Sequence, residues 1–298
     1  MSLARFSSLK EFQLEDIRNF RFNIYHLLIS LANVPLETIR ISSIILYSSE
    51  WISVIQEWNV TGRNLLYKSL QVFKVKTEDM YDDIASQFIQ FLLSFPQLKV
   101  LCFKKNWTKC RIPLPPIPQQ LRQFMLSGFE EVLLNGTDES IYNSQHLSSL
   151  THLSVCGQFE TFPYELFKLN RLEYLDTRNV ECNQLVDSCL TDVSFDKLKH
   201  LAIQVADLYP LLPKFNLHFP LIESINLHRV YAQNFDCHLG EILSSKTLKR
   251  LSVDYFDNPT DSTFKEGLSS SIEELELNFV SWKFVFRLIK TVKFPSLK

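Results

Sequence analysis

The residue pair that comes closest to a covalent active site is His152 and Cys156. Side chains four positions apart on one strand point to the same face, so the imidazole could activate this thiol as a nucleophile. A thiol hydrolase also needs an acid that orients the imidazole and backbone amides that hold the oxyanion, and the surrounding sequence indicates neither. We therefore expect no catalytic residue, and a thiol-dependent enzyme is the weakest of three functional hypotheses.

The histidines His152, His200 and His228 are the other candidates for chemistry, as zinc ligands. If the strands of His152 and His200 are two apart, these imidazoles lie about 10 Å apart at the usual strand spacing. That separation is too wide for zinc, which binds nitrogen at about 2 Å. His200 and His228 fall on adjacent strands but at different positions along them. The sequence also lacks a P-loop, a GxGxxG and an HExxH motif. We predict no metal site, no cofactor and no enzymatic activity.

The strands that would carry these side chains are indicated by a repeated phrase of three apolar residues, spaced by three and then by two positions. Ile222, Ile225 and Leu227 are its clearest copy. The offset of two places the second and third apolar side chains on one face of a strand. Successive copies begin 22 to 34 residues apart, which predicts a strand per repeat and a parallel sheet. The first residues of the eleven copies are Leu9, Leu36, Leu70, Leu98, Leu121, Leu150, Leu172, Leu198, Ile222, Leu248 and Ile272.

The fifth copy has a rival register, because Phe129, Val132 and Leu134 repeat the same spacing shortly after Leu121, Phe124 and Leu126. The register over residues 107–150 therefore stays open. Residues 294–298 (FPSLK) resemble the start of the fourth copy (FPQLK) and begin a twelfth. We expect a single solenoid over residues 1–298, with about eleven repeats and a truncated twelfth, and a chain that is a fragment.

The segments between strands are predicted to return as helices or extended chain. Apolar residues three and four apart favour helices. Residues 111–120 (RIPLPPIPQQ) contain four prolines and are expected to form an extended connector. The predicted helices cover residues 17–31 and 79–95, with weaker patterns over 239–244 and 281–292.

Composition limits the classes of partner. Of the 298 residues, 46% are hydrophobic and 21% charged, and the formal net charge of −2 gives no general attraction to nucleic acid or an anionic membrane. No apolar run approaches the ~18 residues of a membrane span, and the N-terminus lacks the apolar core of a signal peptide. The six cysteines show no CxxC spacing and are expected to be reduced, mostly buried thiols. We expect a cytoplasmic or nuclear protein.

Three stretches, FPLIESINLHRV, FDKLKHLAIQVA and LNRLEYLDTRNV, resemble leucine-rich repeats of the L-x-x-L-x-L type. Their period and helical returns are similar to the ribonuclease-inhibitor-like group, which includes the repeat domains of F-box substrate receptors. The resemblance implies an α/β solenoid with a curved parallel sheet on the concave face and helices and extended returns on the convex face. The Asn or Cys that such repeats carry after the third apolar residue is matched here by Asn106 alone, and no F-box module precedes Leu9.

In such a solenoid, the residues between the inward-pointing apolar ones face the concave surface. Tyr, His, Arg and Met there combine contact area with directional contacts and favour a protein or peptide partner. The basic positions could hold an acidic or phosphorylated segment. A solvated polar face is the alternative explanation for both sets. The predicted partner-binding residues are Arg40, Lys74, Lys76, Lys104, Met125, His152, Tyr174, Asp176, Arg178, His200, His228, Arg229 and Tyr255.

The leading functional hypothesis, by resemblance, is a non-catalytic protein-recognition scaffold, the substrate-binding part of an F-box-type ubiquitin ligase. Skp1–cullin machinery would then be reached through a segment that this chain lacks. The alternative is a regulatory repeat scaffold unrelated to ubiquitin, for example a modulator of a small GTPase. Basic positions without interleaved aromatic side chains do not match nucleic acid, and we expect no membrane partner.

Overall fold

The computed structural model of the protein describes residues 8–15, 24–45, 65–79, 82–113, 117–133, 148–161, 169–184, 194–204, 209–231, 235–257 and 268–298. In these residues it shows an α/β fold with a parallel sheet whose strands follow the order of the chain. The strands are β1 (Glu11–Leu14), β2 (Thr38–Ile45), β3 (Val72–Asp79), β4 (Val100–Pro113), β5 (Gln123–Leu133), β6 (His152–Thr161), β7 (Tyr174–Gln184), β8 (His200–Gln204), β9 (Ser224–Tyr231), β10 (Arg250–Asp257) and β11 (Glu274–Asn278).

In the described residues, helices follow β1, β2, β3, β8, β9 and β11, and the structure describes no helix between β4 and β8. None of them, within the part of the chain that the structure describes, is long and apolar enough to cross a membrane. The helices are α1 (Ile24–Leu31), α2 (Leu65–Ser69), α3 (Asp82–Leu93), α4 (Phe215–His218), α5 (Phe235–Leu243) and α6 (Trp282–Thr291), with a 3₁₀ turn over Tyr209–Lys214.

The chain divides into two compact units, Met1–Gln158 and Phe159–Lys298, with the boundary inside β6. In the first unit, the middle apolar residue of each repeat pairs with its counterpart on the next strand, from Phe12 through Ile39 and Phe73 to Leu101. The second unit repeats this register from Leu175 to Leu275. The predicted phrase therefore sets both the strand positions and their register, since a slip by one residue would expose the whole apolar row.

The ambiguous fifth repeat uses the first of its two registers. Leu121, Phe124 and Leu126 are all buried, and Phe124 pairs with Leu101 while Leu126 pairs with Phe103. The side chains of the rival set lie outside the described residues. The proline-rich segment over residues 111–120 also differs from the prediction of one extended connector. Its first three residues, Arg111–Pro113, form the end of β4. Pro113, which has no N–H to donate, stands at the last position of that strand, where a ladder bond is not needed.

Helix α3 packs on the face of the sheet that carries the buried apolar row of the first unit. Phe88 on α3 is fully buried, and its ring meets those of Phe73 and Phe103 edge-on, at centroid distances of 5.9 and 6.1 Å. Helix α3 begins at Asp82, later than predicted, because Asp79 still pairs with Ile45 in the sheet. Helices α5 and α6 confirm the two weaker patterns. Of the predicted helix over residues 17–31, the described part, Ile24–Leu31, is helical.

Within each unit, neighbouring repeats are joined by a backbone hydrogen bond at the position after the first apolar residue. In the second unit this position carries Glu173, Lys199, Glu223, Lys249, Glu273 and Lys298. From Lys199 onward, the backbone N–H of each of these residues donates to the backbone carbonyl of the one at the same position in the previous repeat. The charges alternate in sign, and ion pairs join them two by two, with Lys199 Nζ 3.2 Å from Glu173 Oε2 and Lys249 Nζ 3.8 Å from Glu223 Oε2. We call this series the charge ladder.

Candidate functional site

The predicted partner-binding residues whose side chains the structure describes lie on the face of the sheet opposite the buried apolar row, which we call the outer face. They alternate with buried residues: Lys74 stands between buried Phe73 and Val75, and His200 precedes buried Leu201. The pleat of the strand therefore directs their side chains away from the core. The side chains of Arg229 and Tyr255 lie outside the described residues, so the structure does not place them.

In the first unit, four predicted residues line a groove of about 230 Å³ across β1 to β4, which we call the basic groove. Arg40 pairs with Lys74 on the next strand, and Lys76 pairs with Lys104. Cys102, which was not predicted, lines the same groove beside Lys74. It holds the same repeat position as Lys74 and Met125, so an alignment of the repeats alone would have placed it there. Leu14, Glu15 and Ser42 are among the other lining residues.

The charges of the basic groove are only partly balanced. Arg40 Nε lies 3.3 Å from Glu11 Oε1, so one cation has an acidic partner. Among the described residues, no carboxylate lies within ion-pair distance of Lys74, Lys76 or Lys104. Within the described part of the first unit, the charge of these three ammonium groups is therefore left to solvent or to a ligand.

Cys102 is a poor nucleophile in this setting. Burial of the half-buried thiol raises its pKa, and the nearby Lys74 ammonium offsets only part of that rise. The protonated thiol is then the dominant form at neutral pH, whereas nucleophilic attack needs the thiolate. Cys102 contributes a small, weakly polar surface to the groove floor.

In the second unit, Asp176 and Arg178 form the best-defined contact of the outer face. Arg178 Nε and Nη2 donate to the two carboxylate oxygens at 3.0 and 2.8 Å, and the backbone N–H of Arg178 donates to the same carboxylate at 3.2 Å. This hydrogen bonding raises the pKa of Arg178. Asp176 was predicted as a contact residue, yet its residue exposure is 8% because the guanidinium covers it. Arg178 is the member of the pair that remains accessible.

Aromatic side chains stand at the start of the same strands. Tyr174 pairs with His200, and their rings lie 6.2 Å apart at an angle of 44°. The pKa of Tyr174 is raised, first by burial of the phenol and second by the negative charge of Asp176. Tyr174 therefore keeps its phenolic proton at physiological pH, and its hydroxyl can donate a hydrogen bond to the carboxylate of Asp176.

His228 is held by an acidic neighbour on the next strand. Its Nδ1 lies 3.0 Å from Asp254 Oδ2, and the two residues are register partners on β9 and β10. Asp254 also interacts electrostatically with Arg178, so it links the histidine to the Asp176–Arg178 pair. Asp254 was not among the predicted partner-binding residues, because a contact between strands requires the register.

The structure brings some of the predicted residues close together and leaves others apart. Met125 pairs with Cys102 next to the basic groove, whereas His152 pairs with Gln123 at the strand start and does not line the groove. His200 pairs with Ser224, and His228 pairs with Gln204, which confirms that these two histidines occupy different rows. The described residues contain no group of three His, Cys, Asp or Glu side chains close enough to hold a metal ion.

No protein-family model and no curated protein matches this chain. In the second unit the outer face offers Tyr174, Arg178, His200 and His228, which are fixed by their neighbours and open to solvent on one side.

Proposed function

We propose that this chain is a non-catalytic recognition scaffold of the leucine-rich-repeat type that binds a protein or peptide on its outer face. The observation that supports this most is a network of polar contacts on the outer face of the second unit, formed by Tyr174, Asp176 and Arg178 on β7 and by His228 and Asp254 on the adjacent strands β9 and β10. Aromatic and arginine side chains are the residues that contribute most binding energy at protein interfaces.

The network favours binding because its side chains are already ordered. Immobilising a side chain with many rotamers on binding costs about 0.5–1.5 kcal/mol. The bidentate contact to Asp176 has fixed Arg178 in advance, and Asp254 has fixed His228. The buried strand residues on either side hold the backbone of these positions. A partner would therefore meet a preorganised surface, which raises affinity without further contacts.

The more specific proposal, a substrate receptor of the F-box type, rests on the resemblance of the repeats to that group. Repeats in phase on a parallel sheet support the repeat part of that resemblance. The ligase role adds a requirement that can be tested, because such a receptor co-purifies with the Skp1–cullin machinery when the complete gene product is used.

The test compares the proteins that co-purify with three versions of the full chain. The face variant carries Tyr174→Ala and His200→Ala, and the matched control carries Glu241→Ala and Lys246→Ala, two exposed residues of the same unit on or next to α5. We expect at least one protein to fall about tenfold in recovery with the face variant, as loss of about 1.4 kcal/mol would produce. The control should recover it unchanged.

The captured protein is then purified and its direct binding is measured by isothermal titration calorimetry. Direct binding to the wild type that the face variant weakens supports the scaffold proposal. Equal recovery of every protein by all three versions would refute it. Absence of Skp1 and cullin from all samples would reject the F-box version while leaving a scaffold unrelated to ubiquitin.

A further inference from the structure

The arrangement of lysines in the basic groove identifies a ligand class. Lys74 and Lys76 are two positions apart on β3, and Lys104 is the register partner of Lys76 on β4. Their Cα atoms therefore lie at the corners of a small triangle, with sides near ~4.8 Å across the strands and ~6.8 Å along one strand. The three side chains leave the same face of the sheet, so their ammonium groups share one volume of the groove.

Three like charges in one place repel one another, and this repulsion persists because the described residues provide no counter-charge at ion-pair distance. Arg40 is already paired with Glu11, and Glu15 lies at the β1 side of the groove, away from β4. The positive potential is therefore strongest at the Lys76–Lys104 side. A compact anion with more than one negative charge would relieve the repulsion better than a single carboxylate.

We propose that the basic groove binds a phosphoryl group carried by a peptide segment of the partner. This proposal rests on the proposed recognition function and names the chemistry of one part of the ligand. A phosphoserine or phosphothreonine carries about −1.5 to −2 charges at neutral pH and three strong acceptor oxygens. Lysine binds phosphate as a point charge and needs no fixed fork geometry, so three lysines can converge on one phosphoryl group.

The surroundings of the groove suit a peptide better than a nucleic acid. Cys102 lines the groove and pairs with Met125 on the next strand, which gives a weakly polar, half-buried surface beside the cations. A residue flanking the phosphorylated one could pack there. The described residues of the groove lining include no aromatic side chain on which a base could stack, and stacking is the main sequence-independent contact to single strands.

The experiment measures retention of the purified full chain on three immobilised libraries of short degenerate peptides. The libraries have a central phosphoserine, serine or glutamate and are otherwise identical. The groove variant carries Lys74→Gln, Lys76→Gln and Lys104→Gln. The control carries Lys246→Gln, Lys283→Gln and Lys290→Gln, three exposed lysines of the second unit, so that both variants lose the same net charge. Circular dichroism melts establish that each variant is folded.

We expect the wild type and the control to be retained on the phosphoserine library about tenfold more than on the serine library. The groove variant should lose this preference, and the single variant Lys76→Gln should lose part of it. Added salt should weaken the retention, because contacts between exposed charges are screened.

Equal retention on the phosphoserine and glutamate libraries would show a general preference for acidic peptides and overturn the phosphoryl assignment. No preference for phosphoserine over serine, or a groove variant that behaves like the wild type, would also overturn it. This measurement uses no cellular partner and no residue of the second-unit network. It can therefore fail while the co-purification experiment succeeds, and the reverse also holds.

Discussion

A pair of neighbouring substitutions, Leu201→Ala and His200→Ala, tests the register on which the outer face depends. Leu201 on β8 is 2% exposed and lies between Leu175 and Ile225 on the adjacent strands, in the middle of the buried row. His200 precedes it and points to the outer face. The two positions differ by one residue in sequence, so a register error of one residue would exchange their effects.

The expected cost of Leu201→Ala follows from its burial. The substitution removes three carbon groups at about 0.8 kcal/mol each, or about 2.4 kcal/mol in transfer free energy. The cavity that remains in a row of packed side chains raises the total to about 3–4 kcal/mol. His200→Ala removes a half-buried ring that contacts Tyr174, for which we expect a loss below about 1 kcal/mol.

Urea unfolding followed by circular dichroism measures both free energies, with the wild type as reference. A loss of about 3 kcal/mol is a large share of the about 5–15 kcal/mol of a typical domain, so Leu201→Ala should shift the midpoint strongly. Losses for the two variants within about 0.5 kcal/mol of each other would refute the register, and a larger loss for His200→Ala would show that the strand faces are reversed.

Two further predictions concern charge in the second unit. Glu223→Lys places a third cation between Lys199 and Lys249 in the charge ladder and should lower the free energy of unfolding by about 1 kcal/mol. Added salt should reduce this loss. The control Glu223→Gln, measured in parallel, should lose less free energy of unfolding. Burial, and second the charge of Asp176, raise the pKa of Tyr174, so the folded state favours the neutral phenol. The stability that this preference contributes is fully present below the ordinary pKa of 10.0 and is lost as the pH rises through the folded-state pKa. In urea unfolding above that pH, the wild type should lose more stability than Tyr174→Phe, and identical pH profiles would contradict the raised pKa.

The repeat phrase could be read from the sequence because it records burial directly. An apolar residue two positions after another, copied at regular intervals, satisfies the pleat of a strand and the stacking of repeats at once. Phe124 and Leu126 illustrate the limit of that signal, because Val132 and Leu134 nearby have the same spacing of two positions. Pairing with Leu101 and Phe103 decided between the two registers, and that choice depends on a neighbouring strand.

The contacts of the outer face were only partly accessible to sequence reasoning. The cationic character at Lys74, Lys76 and Lys104 was predicted, because the repeat assigns each of them to the solvent side. The burial of Asp176 was not predicted, because it depends on the contact with the guanidinium of Arg178 in the folded structure.

The sequence alone determined which side chains point to the core and which to solvent, since that property is local and follows from the alternation along one strand. Only the tertiary structure decided which of the solvent-facing groups neutralise one another. Asp254 lies within hydrogen-bond distance of His228 on the adjacent strand. Lys76 and Lys104 are also register partners on adjacent strands, but no described acid lies at ion-pair distance from them. Such pairings depend on register and on the distance between strands, and electrostatic energy changes steeply with that distance.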